Sequence, residues 1–134
     1  MKQYLLDTNI CIYLLKGQFN INEKIKNVGE ENCFLSEITI AEMKFGVENS
    51  SKKKQNREKL KEFQSLFNVI PIFPSLDIYA KEKSRLRKKG WIVDDFDLLI
   101  GATSIFNNLT LVTRNVKHFN KLEGIKIEDW TKDK

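Results

Sequence analysis

Short apolar segments alternate with longer segments of helical spacing along the whole chain, and this alternation limits the fold more than any other feature. The predicted strands are residues 3–6, 33–35, 69–73, 109–113 and 125–128. The predicted helices are residues 8–16, 22–28, 38–49, 52–68, 75–89 and 94–108. Strands separated by helices usually pair in parallel and need cover on both faces. We therefore predict an α/β fold, a three-layer sandwich whose mostly parallel central sheet is flanked by helices.

Length and composition agree with one folded domain. At 134 residues, 41% of them apolar, the chain can bury one hydrophobic core but is too short for two comfortable ones. No repeat, low-complexity segment or linker divides it, so we expect a single domain over residues 1–134. Pro71 lacks the N–H that a sheet ladder requires, which predicts an edge position or a strand start for residues 69–73.

The net charge indicates a class of binding partner, and the cysteine content indicates a cellular compartment. The 23 Lys and Arg outnumber the 18 Asp and Glu, and the net charge of +5 favours a polyanion such as a nucleic acid. Cys11 and Cys33 lie in apolar surroundings that are typical of small buried thiols rather than of disulfides or zinc ligands. No segment has the roughly 20 apolar residues of a membrane span, and no signal-peptide pattern is present. We expect a cytoplasmic protein with no membrane association.

Two of the predicted strands end in polar residues. Asp7 directly follows residues 3–6, and Thr113 ends residues 109–113. Since sites in open parallel sheets lie beyond the carboxyl ends of the strands, we expect these two side chains to be neighbours. Taken alone, Asp7 could be a helix N-cap or a metal ligand, and the segment itself leaves both interpretations open.

Further acidic residues belong to two predicted helices. Glu42 is the only charge on an apolar or small-residue face of residues 38–49, and a carboxylate in such a place needs a partner. Asp94, Asp95 and Asp97 precede an apolar helix. Capping and the helix macrodipole account for two of these three acids. They do not account for Asp97, which runs straight into a segment expected to be buried.

Acids from distant parts of the sequence would repel one another in a shared site unless a hard cation neutralised them. Oxygen ligands favour Mg²⁺ or Mn²⁺, and the single histidine, His118, is interpreted as structural because no zinc-type spacing is present. On a basic protein, such an ion suits hydrolysis of phosphodiester bonds by an activated water. Supporting polar residues around the site are Thr8, Asn9, Ser36 and Thr113, with Arg114 as a phosphate contact. Each of these five also has an alternative role in a cap or turn.

Five segments carry a family resemblance through their order and spacing. They are LDTNI at 6–10, SEITIAEMKFG at 36–46, residues 89–102 ending in DLLIGA, LVTRN at 111–115, and residues 123–130. Together they cover nearly the whole chain and resemble the PIN-domain endoribonucleases, in particular the VapC-type toxins of bacterial type II toxin–antitoxin modules. The resemblance implies a PIN-like fold and an Mg²⁺- or Mn²⁺-dependent endoribonuclease. It implies that Asp7, Glu42 and Asp97 are the catalytic, metal-binding carboxylates, with Asp95 as an additional metal ligand.

The chain departs from the family pattern at Asn115, where many members have an acid. An amide can ligate a metal or bind a metal-bound water but adds no negative charge, so we expect one well-occupied metal site rather than two. The resemblance also implies a homodimer, an RNA substrate with transfer RNA among the candidates, and a cognate antitoxin that blocks the site.

Three alternatives were weighed. A phospho-receiver domain requires an acceptor Asp after a central strand and a Lys after a late one, but the chain has Pro74-Ser75 and Thr113-Arg114-Asn115 there. A haloacid-dehalogenase-type phosphatase requires Asp where Asn9 stands. The third alternative is a catalytically weak or inactive nucleic-acid-binding PIN relative, since Asn115 weakens the acid set.

Overall fold

A computed structural model describes residues 2–132 and contains a five-stranded, wholly parallel sheet in the order β3-β2-β1-β4-β5. The strands are β1 (Tyr4–Leu6), β2 (Cys33–Ser36), β3 (Asn68–Ile70), β4 (Thr110–Val112) and β5 (Lys126–Glu128). The first strand in the sequence lies at the centre, paired with β2 on one side and β4 on the other. The predicted parallel sheet is therefore confirmed.

Seven α-helices connect the strands within the described part of the chain. They are α1 (Thr8–Leu15), α2 (Ile21–Val28), α3 (Glu37–Glu48), α4 (Lys53–Ser65), α5 (Leu76–Lys88), α6 (Asp95–Phe106) and α7 (Val116–Phe119). Two short 3₁₀ turns, Glu30–Asn32 and Phe73–Ser75, complete the connections. No helix in residues 2–132 is long and apolar enough to cross a bilayer.

The two faces of the central strand belong to different hydrophobic cores. Leu5 packs with Ile100 of α6 and Leu111 of β4 on one face. Leu6 packs on the other face with Ile10 of α1, in a cluster to which α2, α3 and α4 also contribute. Successive side chains of a strand point to opposite faces, so an all-apolar strand has to be covered twice. This arrangement confirms the predicted three-layer sandwich.

The structure differs from the sequence-based prediction in two places. The strand predicted over residues 69–73 ends at Ile70, because Pro71 cannot continue the ladder, and the 3₁₀ turn Phe73–Ser75 follows. The edge position predicted from Pro71 is confirmed. The short helix α7 was missed, since its four residues are too few to show a periodic apolar pattern. Cys11 and Cys33 are buried free thiols, as expected.

Helix α6 lies very close to the segment that leads into β5. At Gly101 an added Cβ would lie 2.6 Å from Cδ2 of Leu122 and 3.5 Å from a ring carbon of Phe119. Real Cβ contacts are essentially never that short, so a larger residue at position 101 would require the Leu122 side chain to move. The close packing holds α6, and with it Asp97 near its first turn, against the carboxyl end of the sheet.

Candidate active site

Asp7 lies between the end of β1 and the start of α1, and only 4% of its surface is exposed. Its backbone N–H donates to the carbonyl of Val112 in β4 at 2.9 Å. One carboxylate oxygen accepts from the backbone N–H of Thr8 at 2.8 Å, and the other accepts from the Thr113 hydroxyl at 2.8 Å. Asp7 thus caps α1 and faces the site at the same time, and the predicted proximity of Asp7 and Thr113 is confirmed.

Glu42 on α3 is connected to the same place through Thr8. The Thr8 hydroxyl donates to Oε1 of Glu42 at 2.6 Å and lies 3.1 Å from the hydroxyl of Thr39, which is fully buried one turn before Glu42. The first turn of α1 therefore fixes the orientation of a carboxylate from another helix. A Glu side chain without such a partner would have several rotamers available.

Asp97 lies in the first turn of α6, with its side chain one-quarter exposed. The Nδ1 atom of His118, on α7, is 3.1 Å from Oδ2 of Asp97. His118, which the sequence suggested was structural, has a side chain that is more than half exposed and contacts a site carboxylate rather than the core. The position of the missed helix α7 explains this contact.

The pKa of Asp7 responds to burial and to both other site acids. Burial is the main cause that raises the pKa of Asp7 to about 6, against the lowering effect of its bonds to Thr113 and Thr8. The charges of Asp97 and Glu42 raise the Asp7 pKa further. Burial likewise raises the pKa of Asp97, although His118 opposes the shift. The fold therefore concentrates negative charge at this point without supplying enough positive charge to offset it.

The three carboxylates do not form a closed ligand shell on their own. Within residues 2–132 no three His, Cys, Asp or Glu side chains are close enough to share an ion. Mg²⁺ commonly binds through one or two carboxylates and keeps several waters, so a pair of these acids with water satisfies it. Beside Asp7, the buried Oδ1 of Asn9 has no hydrogen-bond partner in the described chain. An oxygen-only donor set with an unsatisfied acceptor fits a hard, hydrated cation.

Asp95 does not belong to this group. Its carboxylate is exposed, lies 2.7 Å from Nζ of Lys83 and accepts a bond of 2.9 Å from the Tyr79 hydroxyl, both on α5. Two residues along a helix correspond to a rotation of roughly 200°, so Asp95 and Asp97 project from different faces of α6. The structure therefore does not bring the predicted metal ligand Asp95 together with the other site carboxylates, and Asp94 caps the helix through its bond to the Phe96 N–H.

The other supporting residues divide between the site and the framework. Ser36 is buried and caps α3 by accepting from the Ile38 N–H at 3.0 Å, so its role is in the cap. The Asn115 backbone N–H donates to the Thr113 hydroxyl at 2.9 Å, and that hydroxyl donates to Asp7, so this residue is two hydrogen bonds from the Asp7 carboxylate. Arg114 lies over the rings of Tyr13 and Phe19, with its Cζ 5.8 and 5.0 Å from their centroids.

Sequence reasoning missed two residues at the site, Thr39 and His118. Thr39 lies three residues before Glu42 on the same predicted helix, so helical spacing alone could have identified it. His118 carried no comparable signal, because its contact with Asp97 depends on the placement of α7.

Comparisons with known proteins agree with this geometry. The PIN domain family matches residues 4–125. The protein named Ribonuclease VapC2 of Rickettsia felis is 36% identical over 132 residues, covering 96% of this chain and 98% of the relative. A protein named tRNA(fMet)-specific endonuclease VapC, from Salmonella typhimurium, is 30% identical and covers 97% of this chain and 99% of the relative.

Solved structures give the same result. The crystal structure of VapBC2 from Rickettsia felis bound to a DNA fragment from its promoter matches with a TM-score of 0.88 and 35% identity, over 95% of this chain and 98% of that chain. DNA-bound VapBC from Salmonella typhimurium matches with a TM-score of 0.90 and 30% identity, over 97% and 99% respectively. The catalytically weak or inactive alternative is not favoured. Both relatives have the names of nucleases, and the match covers nearly their whole length. The chain therefore belongs to the PIN-domain family, among the VapC ribonucleases.

Proposed function

We propose that this endoribonuclease hydrolyses RNA with an Mg²⁺ or Mn²⁺ ion held by Asp7 and Asp97, with Glu42 as the third carboxylate. The observation that carries the proposal is the buried carboxylate of Asp7. No Lys, Arg or His in residues 2–132 lies within ion-pair distance of Asp7 or Glu42. A buried carboxylate without a cation is costly, and a divalent ion would remove the cost.

Hydrogen bonds from Thr8 and Thr113 orient the Asp7 carboxylate for binding an ion. Thr113 and the Thr8 N–H each bind one Asp7 oxygen, which leaves a free lone pair on both oxygens and fixes their direction. Thr8 does the same for one oxygen of Glu42. Thr8 and Thr113 thus hydrogen-bond to the carboxylates that would bind the ion. Hydrogen-bond partners of metal ligands commonly tune metal affinity.

When bound, the ion would supply an activated water for in-line attack and stabilise the negative charge on the leaving oxygen. The phosphate itself needs a cation from the protein, and Arg114 follows the strand that carries Thr113. Its guanidinium lies over Tyr13 and Phe19 and is 3.2 Å from the Tyr13 hydroxyl, so it loses little freedom when it contacts a phosphate oxygen. Asn115 adds no charge, and we retain the expectation of one well-occupied metal site.

The partners follow from the relatives. Solved neighbours from Rickettsia felis and Salmonella typhimurium are VapBC complexes bound to DNA. A cognate antitoxin that covers the site and holds the enzyme inactive is therefore the protein partner, and a homodimer is the expected assembly. A relative named tRNA(fMet)-specific makes transfer RNA the first substrate to test. The two free thiols and this substrate agree with a cytoplasmic location.

The test is cleavage of total transfer RNA and of messenger RNA by purified protein, with Mg²⁺, with Mn²⁺ and with EDTA. We expect cleavage only with a metal, and a loss of roughly 100-fold or more for Asp7→Asn or Asp97→Asn. Asp95→Asn is the matched control, because the same change two residues away affects contacts with Lys83 and Tyr79 rather than the site carboxylates and should leave the rate within about twofold. Cleavage in EDTA, or full activity of both site variants, would refute the proposal.

A further inference from the structure

A cleft of about 350 Å³ adjoins the carboxylate site on the side of Asp97. Its lining comes from the segment between α5 and α6 and from the region of α7. The residues that matter here are Trp91, Ile92, Asp97, Lys117, His118 and Lys121. The cleft thus shares Asp97 and His118 with the active site and continues it towards a basic, aromatic surface.

The end of α5 determines where Trp91 lies. Gly90 has a φ of +78°, its N–H donates to the carbonyl of Arg87, and the Trp91 N–H donates to that of Leu86. These two bonds form a Schellman motif, which requires the left-handed conformation that glycine adopts at no cost. The backbone of Trp91 is therefore fixed by the helix end, although the indole is 38% exposed and the neighbouring Ile92 is 87% exposed.

Two lysines lie over the indole. Nζ of Lys121 is 4.5 Å and Nζ of Lys89 is 5.4 Å from the centroid of the Trp91 ring. Lys121 is itself positioned by its backbone carbonyl, which accepts a bond of 2.6 Å from Arg85. Within residues 2–132 neither Lys117 nor Lys121 has a carboxylate within ion-pair distance. The cleft is also lined by Asp94 and Asp97, but in the described chain these two lysines form no direct ion pair with them or with any other acid.

We infer that this cleft binds the nucleotide that flanks the scissile phosphate, with its base against Trp91 and Ile92 and its phosphate between Lys117 and Lys121. The inference rests on the proposed ribonuclease function. Proteins hold single-stranded nucleic acid by combining basic grooves with exposed aromatic rings, and both are present here. A protein segment would require backbone partners or an apolar groove, whereas an exposed ring between lysines matches a base followed by a phosphate.

The experiment measures binding of a short single-stranded RNA of mixed sequence by fluorescence anisotropy at several salt concentrations. All variants carry Asp7→Asn, so that the RNA stays intact. Lys117→Gln with Lys121→Gln should lower the slope of log affinity against log salt by about 0.7 for each lost phosphate contact. Trp91→Ala should weaken binding about fivefold or more and leave the slope unchanged, whereas Trp91→Phe should retain most of the affinity.

Matched controls are Lys54→Gln on α4 and Phe106→Ala, an exposed aromatic at the end of α6. Neither residue lines the cleft, so neither should change the affinity or the slope. Quenching of indole fluorescence gives a second readout: RNA should quench wild-type emission, and the quenching should disappear in Trp91→Phe, where buried Trp130 remains.

Unchanged affinity and slope in the Lys117, Lys121 and Trp91 variants would overturn the cleft assignment. Variants that keep RNA affinity but lose affinity for the cognate antitoxin would also overturn it and assign the cleft to the protein partner. Failure of the ribonuclease proposal is a separate result, since it appears as absent cleavage by the protein with an intact Asp7, whatever the binding data show.

Discussion

Asp7 and Glu82 are two buried carboxylates that the fold treats in opposite ways. Glu82 on α5, 8% exposed, accepts from Nε and Nη2 of Arg85 at 3.0 and 2.8 Å and from the Glu123 N–H at 2.8 Å. Its hydrogen bonds with Arg85 lower its pKa. Asp7 is more deeply buried, all its donors are uncharged, and burial raises its pKa to about 6.

The difference separates a structural acid from a functional one. Glu82 pairs with Arg85, which lies on the same helix. Glu82 also accepts from the Glu123 N–H and so connects α5 to the segment before β5. Hydrogen bonds orient the Asp7 carboxylate too, but within residues 2–132 no cationic side chain pairs with it. When no group of the described chain balances the charge of a buried acid, a ligand from outside the chain can supply the missing charge. Such an acid therefore marks a candidate functional site.

Removing the negative charge at each of the two positions is expected to give the largest effect. Asp7→Asn should reduce RNA cleavage by roughly 100-fold or more and leave the unfolding free energy at pH 7 unchanged or higher, since it removes an uncompensated buried charge. Glu82→Gln should keep cleavage per folded molecule and destabilise the protein by about 2 kcal/mol. Urea denaturation and initial cleavage rates measure both. Equal effects of the two variants on stability and on rate would erase the distinction.

The pH dependence of the metal-free protein sharpens the same comparison. Folding raises the pKa of Asp7 from 3.8 to about 6, so between these values the folded state holds a proton that the unfolded state has lost. Stability should therefore fall by roughly 2 kcal/mol as the pH rises from 4 to 7, relative to Asp7→Asn. The opposite holds for Glu82, whose lowered pKa contributes stability that is lost as the pH falls below its usual range.

Mg²⁺ should reverse the loss associated with Asp7. Because the ion binds the charged carboxylate, it should raise the melting temperature at pH 7.5 more than at pH 5, and hardly at all in Asp7→Asn. Differential scanning calorimetry in EDTA and in Mg²⁺ provides the measurement. An equal rise in melting temperature at both pH values would place the ion elsewhere.

The smallest expected effect concerns Asn115, whose backbone N–H donates to the Thr113 hydroxyl, which in turn donates to Asp7. Asn115→Asp adds a negative charge two hydrogen bonds away from Asp7 and should raise Mg²⁺ affinity roughly tenfold, or add a second ion. Isothermal titration of both proteins gives affinity and stoichiometry. Wild-type protein that already binds two ions tightly would reject the expectation of a single well-occupied site.

The parts of the molecule that could be predicted from the sequence depend on local patterns. The run from Tyr4 to Leu6 predicted a strand, and the rule for parallel sheets placed Asp7 beside Thr113; both predictions are confirmed. Glu42 was identified because a lone charge on an apolar helix face needs a partner, and Thr8 is that partner.

The parts that could not be predicted depend on rotation about a helix and on packing between distant segments. Asp95 and Asp97 look equivalent in sequence, yet only Asp97 faces the site, because the side on which α5 packs with Lys83 fixes the rotation of α6. His118 and Trp91 were not predicted as site residues for the same reason. Each reaches its place through a helix end or a short helix whose position is fixed by tertiary contacts.

The central position of β1 has a consequence for how the enzyme is made. The hydrogen bond between Asp7 and Thr113 joins residues 106 positions apart, and Thr113 directly follows β4, the last strand but one in the described chain. Parallel pairing over such a separation forms slowly, because a long loop has to close first. During synthesis Asp7, directly after β1, is made 106 residues before its hydrogen-bond partner Thr113. A chain released before residue 113 therefore carries an incomplete nuclease site.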